Sequence, residues 1–152
     1  MTPDPPVSPL ETHLGFWLRY VSNQVSHAFA QRLEQRGITV AEWVVLRELF
    51  DGDMIPSALA ERLGMTRGGI SKLADRLTAK ALIARRPNGD DRRYQALALS
   101  SAGKALVPEL ARIADDNDAE FFAHLTPDQR NTIEFVMRDI VERRGMRPVP
   151  TA

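Results

Sequence analysis

The stretch "ALAERLGMTRGGISKLADRL", Ala58 to Leu77, constrains the local fold more tightly than any other part of this 152-residue chain. Pro56 can open a short helix reaching Leu63, because a first helical turn leaves its N–H groups without partners and tolerates proline. Ala60 is small where a second helix would cross. Gly64 can take the left-handed conformation of a sharp turn, and Ile70 faces back toward Leu59 and Leu63. Thr66 has the chemistry of an N-cap for a second helix running to about Lys80. Ile70, Leu73, Ala74 and Leu77 form its inward stripe. A small residue, a glycine and an aliphatic at these offsets are what a helix-turn-helix requires, although short helices joined by glycine also make ordinary helical hairpins.

The next segment, "RRPNGDDRRYQALALS", favours the first of these. Leu82 to Arg86 and Arg92 to Leu99 read as two strands joined by the turn signal "PNGDD", with arginine pairs on both sides. The net charge is zero, yet residues 62 to 93 carry nine Lys/Arg against three Asp, while residues 1 to 61 carry four basic groups against eight acids. A basic block alone fits a salt-bridged surface as well as a polyanion partner. Beside a helix-turn-helix it points to duplex DNA, with the second helix in the major groove and the hairpin as a wing reaching the minor groove. Arg67 and Ser71 are then placed for base edges, and Thr66 and Lys72 for phosphates, with Arg76 further along the same helix. Arg85, Arg86, Arg92 and Arg93 belong to the wing. Asp91 would be repelled by DNA, so it is expected to orient an arginine or brace the turn. Gly68 and Gly69 weaken a helix; either their bare backbone lets DNA approach closely, or the turn is tightly packed.

Around this unit the hydrophobic period predicts long helices. Met1 to Pro9, with four prolines, reads as a disordered arm. Residues 11 to 36 form an amphipathic helix with Leu14, Trp17, Leu18, Val21, Val25, Ala28, Phe29 and Leu33 on one side, ended by Gly37. "ITV" can add an edge strand, and residues 41 to 50 form a second helix. Ser100 caps a helix to about Leu125, and Thr126-Pro127 opens the last one, striped by Ile133, Val136, Met137, Ile140 and Val141. The tail "RPVPTA" reads as disordered, and "DDNDAE", Asp115 to Glu120, as a solvated face.

The expected architecture is therefore mainly α with a small β wing. A winged helix-turn-helix over residues 38–100 stands between dimerisation helices at 10–37 and 101–145, with a disordered arm at 1–9 and tail at 146–152. Terminal helices that flank an already complete small domain need something further to bury against, which favours a homodimer. The absence of cysteine excludes disulfides and thiolate metal sites. No apolar run approaches a membrane span and the start lacks a secretory pattern, so a cytoplasmic protein without membrane contact is expected. For an enzyme, there is no nucleophile paired with a base, no phosphate-cradling "GxxxxGK" loop and no paired histidines; the glycines of "GMTRGG" come after a helix rather than a strand. A module that kept the fold but lost DNA is disfavoured by arginines in both the helix and the wing.

The two motifs "LAERLGMTRGGISKLADRLTAKALI" and "DRRYQALALSSAG" resemble those of the MarR family of winged-helix transcriptional regulators, and the likeness runs from Leu10 to about Gly145. Asp91 and Arg93 match the family's wing-tip Asp-x-Arg, and Leu97, Leu99, Ser100 and Gly103 match its pattern beyond the tip; Ala81 departs from the glycine common after the recognition helix. The resemblance implies a homodimer built from the terminal helices, acting on a pseudo-palindromic operator, commonly as a repressor. It also implies, for many members, a pocket for a phenolic or other aromatic acid. His13, Trp17, Tyr20, Trp43 and Arg47 are candidates to line it, with Arg47 meeting a carboxylate; a core of aromatics beside a surface arginine is the other reading. No cofactor is implied. His13, His27 and His124 are scattered without His-x-x-x-His spacing, so a metal-responsive regulator, or one with no ligand at all, stands as the alternative.

Overall fold

The computed structural model describes residues 1–88 and 91–146, with Asp91 to Tyr94 described by their backbone alone. Residues 1–9 are exposed and carry no regular secondary structure, and a single 3-10 turn, Leu10–Thr12, leads into α1, Leu14–Glu34. Then come α2, Val40–Phe50; α3, Pro56–Leu63; α4, Arg67–Ala79; the antiparallel strands β1, Ile83–Asn88, and β2, Asp91–Leu99; α5, Ser101–Phe122; and α6, Pro127–Arg144. This is the expected mainly α chain with a small β wing. The expected tail lies, apart from Met146, outside the described residues.

The local signals act where their chemistry requires. Thr66 accepts a hydrogen bond from the Gly69 N–H at 3.0 Å, Ser100 from Gly103 at 3.1 Å and Thr126 from Gln129 at 3.2 Å, each capping the helix it precedes. α1, α3, α4 and α6 all end the same way, with a left-handed residue and then an N–H that reaches back five residues: Ile38 to Leu33, Met65 to Ala60, Leu82 to Leu77 and Met146 to Val141. The left-handed residue is glycine at 37, 64 and 145. At the end of α4 it is Ala81, with φ of 59°, the one non-glycine with positive φ among the described residues. Leu82 is then clamped from above. Its carbonyl accepts from the Ser100 N–H at 2.9 Å, and a Cβ on Gly103 would lie only 2.2 Å from that oxygen. The Ser100 and Gly103 of the second motif are thus the residues that let α5 start directly against the wing's base.

Two expectations are corrected. "ITV" adds no strand, because Thr39 is used instead as the N-cap of α2, in a reciprocal pair with Glu42. The edge partner of the hairpin is Met54, which exchanges backbone hydrogen bonds with Leu97 at 2.8 and 3.1 Å. The "DDNDAE" segment is also not solvated throughout. Asn117 is buried, and its side-chain amide donates to the Val25 carbonyl of α1 at 3.2 Å.

A single apolar core joins Leu33 at the end of α1, Val45, Leu46 and Leu49 of α2, Leu59 and Leu63 of α3, Ile70, Leu73 and Leu77 of α4, Leu97 and Leu99 of β2, and Val107 and Leu110 of α5. Arg32 on α1 and Arg36 just past its end pair with Glu120 and Glu109 on α5. Outside this core the apolar stripes are uncovered. Leu14, Trp17, Leu18 and Val21 on the first half of α1 are exposed, and α6 buries no residue at all although it carries Ile133, Val136, Met137, Ile140 and Val141.

Candidate nucleic-acid interface

α3 and α4 cross through Gly64, whose φ of 66° gives the sharp turn that a residue with a Cβ would resist. Ile70, Leu73, Ala74 and Leu77 are buried against the core, which forces the opposite side of α4 outward. Thr66, Arg67, Gly68, Ser71, Lys72, Asp75 and Arg76 are all exposed there, the first six along the N-terminal two-thirds of the helix. A short exposed helix with basic and hydroxyl side chains at its N-terminal end can enter a major groove and offer donors to phosphates and base edges.

The two glycines at the start of α4 differ. A methyl on Gly69 would press on the Thr66 hydroxyl at 3.2 Å and on the Met65 methyl at 3.3 Å, so it would crowd the cap. A methyl on Gly68 would meet nothing within 4 Å. At Gly69 the space beside the cap is tight; at Gly68 the missing side chain leaves the outward backbone bare.

The hairpin lies directly after α4, with Arg85 opposite Leu97 and Arg86 opposite Ala96 in register. Both arginines are exposed. Arg85 also reaches back to α4, where its guanidinium donates to the Asp75 carboxylate at 3.3 Å, joining the wing to the recognition helix. The side chains of Asp91, Arg92 and Arg93, which the wing-tip expectation concerns, lie outside the described residues.

Not every basic group of the 62–93 block faces outward. Arg62 holds Glu48 at 3.1 Å, and Lys80 holds the fully buried Glu42 at 2.8 Å. For Glu42, burial pushes the carboxyl pKa up, but the bonds from Lys80 and Thr39 more than offset this and hold it below its ordinary value. Sequence reasoning does not single out this carboxylate. The capping-box spacing Thr39-x-x-Glu42 can be read from the residues, but only the packing of three helices shows that the carboxylate is enclosed.

The candidate ligand residues fall into two groups. His13, Trp17 and Tyr20 stand with Phe16 at the exposed start of α1. The Trp17 ring is edge-on to Phe16 at 5.2 Å and donates to the Glu11 carbonyl at 2.8 Å. The His13 Nδ1 lies 3.3 Å from the Leu10 carbonyl. On α2, Trp43 meets Phe29 edge-on at 6.5 Å, while Arg47 pairs with Asp51 at 3.1 Å and lies over the Phe50 ring at 5.7 Å. Surface grooves at Leu125–Ile133 and at Ile55–Arg67 are lined by other residues. Among the described residues no group of three metal-ligating side chains comes together, and no helix is long and apolar enough to cross a membrane.

Residues 36–93, from just past α1 through the helix-turn-helix and β1 to the first residues of β2, match the model of the MarR family. The HTH-type transcriptional repressor MdtR of Bacillus subtilis is 29% identical over 113 residues, which span 74% of this chain and 73% of that protein. A mutant MarR from Escherichia coli solved in complex with operator DNA superposes with a TM-score of 0.74 at 25% identity, covering 84% of this chain and 93% of that one. Bordetella bronchiseptica BpsR, whose DNA binding is regulated by 6-hydroxynicotinic acid, superposes with a TM-score of 0.76 at 25% identity, covering 89% and 97%. These relatives are regulators, not enzymes, and the likeness extends well beyond the winged lobe into the terminal helices. Over residues 36–93 the chain matches the MarR family, and over most of its length it is similar in sequence and fold to winged-helix transcriptional regulators of the MarR kind.

Proposed function

We propose that the protein is a homodimeric repressor that binds a pseudo-palindromic operator, one half-site per subunit, and that a small aromatic acid releases it. The observation that carries this reading is the outward face of α4, where Arg67, Ser71 and Lys72 stand exposed beside a hairpin with arginines on it. Arg67 and Ser71 read base edges, Thr66 and Lys72 hold phosphates, Gly68 lets the backbone come close, and Arg76 meets the flanking strand. On the wing, Arg86, Arg92 and Arg93 enter the minor groove and Asp91 orients Arg93, while Arg85, held by Asp75, braces the wing against α4. The uncovered stripes of α1 and α6 supply the dimer interface, which sets two recognition helices about one helical turn apart. Repression is supported by the likeness to MdtR.

The test is selection of bound duplexes from a random pool, and then measurement of variants on the selected site and on altered ones. Arg67→Ala and Ser71→Ala are expected to relax preference at particular base pairs, by about 1–3 kcal/mol each. Lys72→Ala weakens all sequences alike and lowers the salt slope by about one. Equal losses on every duplex for all three variants would contradict this division of roles.

The release step is supported by the likeness to BpsR and by the aromatic residues His13, Trp17 and Tyr20 at the start of α1 and Trp43 on α2. The ion pair of Arg47 with Asp51 favours a second reading, in which this arginine is already satisfied and no acid is bound. Fluorescence titration of Trp17 and Trp43 with salicylate-like acids, with and without operator, separates the two. A ligand that weakens DNA binding must itself be weakened by operator to the same factor.

A further inference from the structure

Lys80 sits just past the last turn of the recognition helix and points away from its DNA-facing side. Its Nζ donates to the Gly37 carbonyl at the end of α1, at 2.7 Å, and to both carboxylate oxygens of Glu42 in the first turn of α2, at 2.8 and 3.0 Å. Glu42 is fully buried, and its Oε1 also accepts from the Thr39 N–H at 2.9 Å. The Thr39 hydroxyl in turn accepts from the Glu42 N–H at 3.1 Å and, at 3.5 Å, from Arg76 of α4 itself. One enclosed carboxylate and one ammonium therefore join the end of α1, the start of α2 and the end of α4.

A buried ion pair is a poor source of stability, since an apolar pair of similar volume does as well or better. What it has that an apolar pair lacks is direction. The ammonium has three donors and meets three fixed oxygens, so the relative placement of the helices that carry them is fixed as well. The leverage is large. α4 has 13 residues and is roughly 20 Å long. A swing of about 10° at its Lys80 end carries the Arg67 end by about 3.4 Å, about one base-pair step.

We propose that Lys80 and Glu42 are positioning residues that set the angle of the recognition helix on α1, and through it the half-site spacing that the dimer accepts. Neither touches DNA. The proposal rests on the reading of the chain as a dimer on a two-half-site operator.

The test compares affinities of the full chain for the selected duplex, for the same duplex with its centre lengthened or shortened by one base pair, and for a single half-site. The variants are Lys80→Met, Glu42→Met/Lys80→Met and Lys80→Arg. Lys80→Met leaves the Glu42 carboxylate uncompensated. The double variant removes both charges, and Lys80→Arg keeps the charge but replaces a point donor with a planar fork. In every variant that circular dichroism shows to be folded, the preference for the selected spacing over the altered ones is expected to change by about 2- to 30-fold, with half-site affinity unchanged. If Lys80→Arg and the double variant keep the wild-type ratio, the network is only structural and the proposal is overturned. If the wild type itself shows no spacing preference, the two-half-site reading falls, and this inference with it.

Discussion

The winged lobe and the two terminal arms use the same apolar residues to opposite ends. Ile70 and Leu77 on α4 are 1% and 0% exposed, whereas Ile133 and Ile140 on α6 are 45% and 44% exposed. Both helices repeat their apolar residues at three and four. The lobe, however, closes its stripe with its own strands and with α2, α3 and α5, while α6 lies against nothing that covers it. An uncovered stripe of this size on a folded chain marks an interaction surface. The difference teaches that hydrophobic period fixes the kind of element and which side is apolar, but says nothing about whether the cover comes from the same chain.

The largest effect should come from putting charge into each region in turn. Val136→Asp with Ile140→Asp, on the exposed stripe, is expected to leave the fold intact and give a single chain of 17.0 kDa by light scattering. Operator affinity would fall by about 10²–10⁴-fold as two linked half-site contacts become one. Leu73→Asp, at a position 5% exposed in the lobe, is expected instead to abolish the cooperative melt. An arm variant that unfolds like the lobe variant would break the comparison.

A smaller effect is expected where the lobe meets α1. Lys80→Met leaves Glu42 enclosed without its cation and should cost roughly 2–4 kcal/mol, less than the loss for a wholly buried pair because Lys80 is partly exposed. The Glu42→Met/Lys80→Met double variant should recover most of that. The pH dependence has a definite sign. The Glu42 pKa in the folded chain lies below its ordinary value of 4.5, so its contribution to stability is complete above that value and is lost as pH falls below it. Urea midpoints measured from neutral to acid pH should therefore fall less steeply for Glu42→Gln than for the wild type. Equal slopes would show that Glu42 is not held as the carboxylate.

The smallest effect sits at the end of α4. Ala81 occupies the left-handed position that glycine fills at the ends of α1, α3 and α6. Relief of a left-handed alanine is worth about 1–2 kcal/mol, offset in part by the greater freedom of glycine in the unfolded chain. Ala81→Gly should raise stability by about 0.5–1 kcal/mol, read as a shift in the thermal midpoint. A decrease would show that the Ala81 methyl makes contacts that matter more than its strain.

Much of this fold is legible in the residues because its boundaries are set by local chemistry. The caps at Thr66, Ser100 and Thr126, the prolines at 56 and 127 and the glycines at 37, 64 and 145 act over three or four residues, and each element begins or ends at them. The inward and outward faces of α4 can be read from period alone. What is not legible depends on distance in sequence. The pairing of Met54 with Leu97, the enclosure of Glu42 by Lys80, the reach of Arg85 to Asp75 and the burial of Asn117 against α1 all arise from packing between separate elements. "ITV" misleads for a related reason. Its β-branched residues suit a strand, but Thr39 has a competing use as a cap three residues before Glu42, and the cap prevails. Arg47 illustrates the same limit, since an Asp51 one turn away, at the end of α2, holds it at 3.1 Å.

The central claim is that the exposed stripes exist to bring two winged lobes onto one stretch of DNA. Sedimentation equilibrium of the protein saturating its selected duplex tests it most directly. The mass bound per duplex should be roughly twice the 17.0 kDa of the chain, with no species carrying a single chain at half-saturation. A saturated complex holding one chain per duplex would contradict it.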